Sequence, residues 1–256
     1  MPATVRQRPL ASFFMLSCLL SWWASIPYLV GVSPLPIASF GPFLAALVVL
    51  GITEGRGGIR ELFRSMIRWR VPVRAYAFAL GIPTLISGVA VLATLATGAT
   101  AQPGRLAAWV DVPVSFLIAL LIPGFAGAWE EPGFRGYALN RVEARTGPVT
   151  GPLLVGVFWV FWHLPLFLAG QILPTDVAVI LAASVVTAAV FHTAKDSVLV
   201  AMILHATNNA VGGSYASQLF HGTNLWHLGL FTATGWWTVA LIVVARQRAR
   251  RRRTRS

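Results

Sequence analysis

Residues 113–135 read "PVSFLIALLIPGFAGAWEEPGFR". From Pro113 to Trp129 the run carries no charge, and then two adjacent carboxylates, Glu130 and Glu131, follow without an intervening loop. An apolar run near 20 residues is what crosses a hydrocarbon core of about 30 Å. Ionisable side chains at such a depth are costly and mark a functional site by default. The stretch therefore identifies both the solvent, a bilayer, and the place where polar chemistry is concentrated.

The rest of the chain agrees with that solvent. Of 256 residues, 56% are hydrophobic and only 11% charged, with a mean hydropathy of +0.71, whereas soluble domains carry about 25% charged residues. Successive apolar stretches with no long polar insertion predict one all-α polytopic domain over residues 1–256. The one cysteine, Cys18, lies in the first apolar stretch, which excludes a disulfide framework or a cysteine zinc site.

A net charge of +12 would suit nucleic acid, but its distribution does not. Arg6 and Arg8 precede the first span, Arg56 to Arg74 fill the loop after the second, Arg141 and Arg145 follow the fourth, Lys195 follows the sixth, and "RQRARRRRTRS" ends the sequence. The alternate connections hold only Arg105, Asp111 and Asp176. Basic loops stay cytoplasmic, so about eight spans are expected, with both termini cytoplasmic, in a multi-pass cell-membrane protein. They fall near 10–30, 37–53, 75–97, 113–140, 151–170, 177–194, 197–212 and 228–245. "SWWASIPYLVG" offers no clear small-residue cleavage site, so the first span is expected to be retained. The Arg-rich tail, 246–256, reads as a topology anchor that attracts anionic lipid, with no nucleic-acid partner. In "GIRELFRSMIRWRV", Ile59, Leu62, Phe63, Met66 and Ile67 recur at helical spacing opposite Arg60, Arg64 and Arg68, predicting an interfacial helix.

Few ionisable residues fall inside spans. Helical neighbours point about 100° apart, so Glu130 and Glu131 cannot share one task. Arg135 stands four residues after Glu131, the spacing of a same-face ion pair; Glu131 gains a partner and Glu130 none. Pro132 and Gly133 predict a kink there. His163 lies in "WVFWH", and His205 and Asn209 share one helix face in "HATNN". Counted at 1.5 Å per residue, Glu130, His163 and His205 lie about 12–16 Å from the basic ends of their helices, a common depth.

Together these motifs resemble the CPBP (Abi) family, intramembrane proteases related to CAAX prenyl proteases and bacteriocin-processing proteins. "EEPGFR" resembles its EExxxR motif, "WVFWH" its FxxxH motif and "HATNN" its HxxxN motif, in the family's order; "GP" at 41–42 and "RWRV" at 68–71 resemble upstream features. The likeness covers about 40–212. Trp159 stands where the family has Phe; both are large aromatics, so the histidine four residues later is expected to keep its role. The resemblance implies an eight-helix bundle with a cytoplasm-facing intramembrane cavity and an endopeptidase acting on a peptide or membrane-protein substrate. It implies that Glu130 and His163 activate water, that His205 and Asn209 polarise the scissile carbonyl, and that Glu131 and Arg135 support the site. Physical chemistry fits these roles, because burial makes a carboxylate a better base and paired N–H donors stabilise an oxyanion.

Glu130, His163 and His205 are also a conceivable zinc set, but without an HExxH motif the metal-free reading, a glutamic protease with no cofactor, is preferred. Intramembrane ionisable groups also build proton relays, yet no inverted repeat points to a transporter. A non-catalytic peptide-binding or immunity protein remains the alternative.

Overall fold

The computed structural model describes residues 2–253, so the last three residues of the Arg-rich stretch 246–256 lie outside it. Every regular element among the described residues is helical. The long ones are α1 (Pro9–Trp22), α2 (Gly41–Thr53), α3 (Gly55–Met66), α4 (Val73–Ala96), α5 (Val112–Leu121), α6 (Asn140–Thr146), α7 (Thr150–Trp162), α8 (Thr175–Thr193), α9 (Val198–Asn208) and α10 (Gly222–Arg253). The first span, extended by a short helix to Leu29, and α4, α8 and α10 are each long and apolar enough to cross a membrane. The protein is an all-α polytopic membrane protein.

Hydrogen bonds between loops define its two ends. At one end Arg6 reaches the carbonyl of Ile52, Arg141 pairs with Glu54, Ser197 donates to the carbonyl of Arg68 and His192 meets Glu143 at 2.8 Å. All these groups belong to the basic connections. The second nitrogen of His192 lies 2.7 Å from Asp196, and its hydrogen bond holds the Asp196 carboxyl below the ordinary carboxylate range. At the other end Gln171 bonds to Pro34 and Gln102 to Leu219 and His221. These bonds group the basic connections at one end and the nearly uncharged ones at the other, in line with the charge alternation of the loops.

The helix boundaries differ from expectation where the chemistry lies. The span expected over 113–140 is not one helix. It stops at Leu121, because Ile122 is extended (φ −106°, ψ 110°) and Gly124 and Ala126 take positive φ. The chain rewinds as a 3₁₀ turn (Ala128–Glu130), one α turn (Glu131–Gly133) and a π-helix (Phe134–Leu139). Pro123 and Pro132 explain part of this, since each removes an N–H that a continuous helix needs. Gly133 serves packing: a Cβ there would fall 2.5 Å from the carbonyl of Pro42 at the start of α2. Span 151–170 likewise breaks at His163, and 197–212 widens into a π-helix from Asn209 to Tyr215. Such wide turns recur at functional sites.

Helix α3 is amphipathic as expected. Leu62 and Met66 are buried, Phe63 packs edge-on against Phe43, and Ile67 is exposed. It lies at the basic end against α2 and α9, beside a polar hollow of about 220 Å³ whose lining includes Glu54, Arg68, Asn140 and Asp196.

Candidate active site

Glu130, Glu131 and Arg135 come from the rewound segment, Trp159 and His163 from the end of α7, and His205 from α9. Glu130, Glu131, Arg135 and His205 are all buried, the ion pair completely. Arg135 Nη1 lies 3.1 Å from Glu131 Oε1, the i to i+4 pairing the spacing required. The same oxygen lies 2.7 Å from His205 Nδ1. Glu131 thus joins its own segment to α9, a task beyond the helix support read from sequence.

Glu130 has a partner after all. The indole Nε1 of Trp159 donates to Glu130 Oε2 at 2.6 Å, which corrects the expectation that this carboxylate stands alone. The bond also gives Trp159 a role that the phenylalanine of the motif could not fill, because phenylalanine has no N–H to donate. Trp159 is the centre of the cluster. Its ring lies under the Arg135 guanidinium (4.4 Å), meets the His205 ring edge-on (5.4 Å), and its backbone carbonyl accepts from His163 Nδ1 at 2.8 Å.

These partners fix the imidazoles. A carbonyl only accepts, so His163 carries its proton on Nδ1. A carboxylate paired with arginine also accepts, so His205 donates from Nδ1 to Glu131. Each ring is left with Nε2 as its working nitrogen, a lone pair when neutral and a donor when protonated. Around Gly127 the geometry is closer still: a Cβ built on that residue would lie 2.3 Å from His205 Nε2 and 2.6 Å from Glu130 Oε1. The two atoms therefore face one another, at most about 5 Å apart.

The residues expected at the site are not all brought equally close. Glu130 and His205 face each other directly, and Glu131 and Arg135 lie beneath them. His163 connects to Glu130 through Trp159, and Asn209 follows on the same helix face as His205, half-buried at the first turn of the π-helix. The conceivable zinc set is not assembled, since no three His, Cys, Asp or Glu side chains converge to hold a metal among the described residues. Neither the polar hollow nor an apolar groove of about 540 Å³ between α1 and α7 is lined by these residues.

Sequence reasoning missed Trp159 as a donor, the second bond of Glu131, and Gly127. Only the tryptophan left a signal, its departure from the phenylalanine of the motif.

Comparison with known proteins places the cluster in context. Residues 109–211 match the family model described as Type II CAAX prenyl endopeptidase Rce1-like. Over 55 residues the chain is 42% identical to a protein named CAAX prenyl protease 2 from Methanococcus maripaludis. That alignment covers 22% of this chain and 18% of the relative, so the chain matches less than a fifth of the relative's length.

Proposed function

We propose, from the match of residues 109–211 to the Rce1-like family model, that the chain is a CPBP-type intramembrane endopeptidase in which Glu130 activates water against a peptide bond of a membrane-associated substrate. The observation that carries this reading is the facing pair, Glu130 Oε1 and His205 Nε2, each with its other polar atom already occupied by a fixed partner.

In this reading Glu130 takes a proton from water, and the hydroxide so formed adds to the scissile carbonyl. His205, protonated at Nε2 with Glu131 compensating its charge, donates to the developing oxyanion, and Asn209 adds an amide donor. His163 offers a lone pair that orients the water. Collapse breaks the C–N bond, and the proton held on Glu130 passes to the departing amine. Water supplies the hydroxyl and the proton, so the carboxylate returns to its starting state. Glu131 and Arg135 hold His205 and the rewound segment in register.

The reaction is proposed as a glutamic one. On that basis, exhaustive chelation should leave most cleavage of a fluorogenic peptide intact, and a prenylated CAAX-type peptide is the first probe to use. Activity that disappears on chelation and returns with stoichiometric zinc reverses this part of the reading.

The tryptophan gives a sharper test. A hydrogen bond to a charged group contributes about 1.5–3 kcal/mol, so Trp159→Phe should lower kcat by roughly 10–100-fold even though it restores the residue of the family motif. Unchanged turnover in that variant means that the indole bond is incidental.

The reading also places the basic end, with both termini, in the cytoplasm. A reporter fused after Ser256 should read cytoplasmic and one inserted near Gln171 external; an external carboxy terminus contradicts this orientation.

A further inference from the structure

Two glycines flank the unwound stretch before Glu130, and they are glycine for different reasons. Gly124 has φ +93°, a conformation that side chains rarely adopt, and a Cβ there would meet nothing closer than 3.4 Å. Gly127 has φ −94° and ψ −1°, which any L-residue can take. Its backbone does not call for glycine. What a side chain at Gly127 would meet is His205 Nε2 at 2.3 Å and Glu130 Oε1 at 2.6 Å, with His205 Cε1 also at 2.6 Å.

We infer that Gly127 is a positioning residue that reserves, by lacking a side chain, a one-water-wide separation between the Glu130 carboxylate and His205. The inference rests on the proposed endopeptidase reading and deepens it. The size argument is direct. Two hydrogen bonds of about 2.8 Å meeting at one oxygen at the tetrahedral angle span about 4.6 Å. The facing atoms lie at most about 5 Å apart and are hydrogen-bonded to Trp159 and Glu131 through their other polar atoms, so one water, or the oxyanion that replaces it, is within reach of both.

The three atoms nearest a methyl group on Gly127 all belong to the ends of two side chains, so the fold can absorb it. The site cannot. Glu130 is held through Oε2 by Trp159 and His205 through Nδ1 by Glu131, so relieving contacts of 2.3 and 2.6 Å means pulling against those bonds. A shift of about 1 Å at reacting groups costs on the order of 10²-fold in rate.

The experiment compares Gly127→Ala with three other variants in purified protein cleaving a fluorogenic peptide. Gly127→Ala should melt within a few degrees of wild type and keep KM within about threefold, while kcat falls about 10²-fold. Gly88→Ala, on α4 where a Cβ meets nothing within 4 Å, should leave both melting and turnover unchanged. Gly133→Ala, driven against the backbone of Pro42, should lose folded yield instead. Glu130→Asp withdraws the carboxylate, so adding Gly127→Ala to that background should cost much less than it does in wild type, a non-additivity that a purely structural role does not produce.

Wild-type kcat in Gly127→Ala, or an equal cost in both backgrounds, overturns the inference. If Glu130→Gln is inactive and Gly127→Ala is not, this inference alone fails; if Glu130→Gln is fully active, the endopeptidase reading fails with it.

Discussion

Arg135→Ala should leave little folded protein, and what folds should melt far below wild type. The guanidinium is fully buried, pairs with Glu131 and lies over the Trp159 ring. Its removal strands a carboxylate in a medium without water, and breaking a buried pair in this way costs about 3–5 kcal/mol. That is a large fraction of the stability of an ordinary domain. Glu131→Gln is the milder counterpart. It keeps the shape but loses the charge that orients His205, so it should lower turnover as well as stability. Thermal unfolding of the detergent-purified variants checks both. An Arg135→Ala protein that melts with wild type would show that the pair is not what holds the rewound segment to α9.

The comparison of these two variants bears on what a single sequence can reveal. The Glu131–Arg135 pair was legible because i and i+4 on one helix is a local relation, set by 3.6 residues per turn. The second bond of Glu131, to His205, was not, since it joins residues 74 apart whose meeting depends on how α9 packs against the rewound segment. The grouping of the connections was legible because basic loops alternate with nearly uncharged ones, and the loop hydrogen bonds gather at two ends accordingly.

The break within residues 113–140 was half legible. Pro123 and Gly124 are ordinary signals of interruption, but hydropathy is blind to them, so a continuous apolar pattern read as a continuous helix. Trp159 was undervalued for a related reason: pattern reasoning scores it by size and apolarity, whereas its contribution here is a single N–H. The absence of a side chain at Gly127 leaves no signal at all until three dimensions bring Glu130 and His205 to the same point.

The largest effect on chemistry should come from the smallest change. Glu130→Gln replaces one carboxylate oxygen by an amide nitrogen of nearly equal size, and Glu130 is not part of the buried ion pair with Arg135. The amide oxygen can still accept from Trp159, so folding and melting should be close to wild type. Proton transfer cannot be replaced in that way, because an amide is not a base at neutral pH. General-base catalysis contributes about 10²–10⁴-fold, and here the same group returns the proton to the leaving amine, so the loss should lie at the upper end of that range.

The direct measurement is cleavage of a fluorogenic CAAX-type peptide by purified, membrane-reconstituted protein, wild type beside Glu130→Gln, with melting temperatures taken on the same preparations. The account predicts turnover by the wild type, a loss of about 10³-fold or more in the variant, and melting curves that superimpose. Wild-type turnover by Glu130→Gln would contradict it.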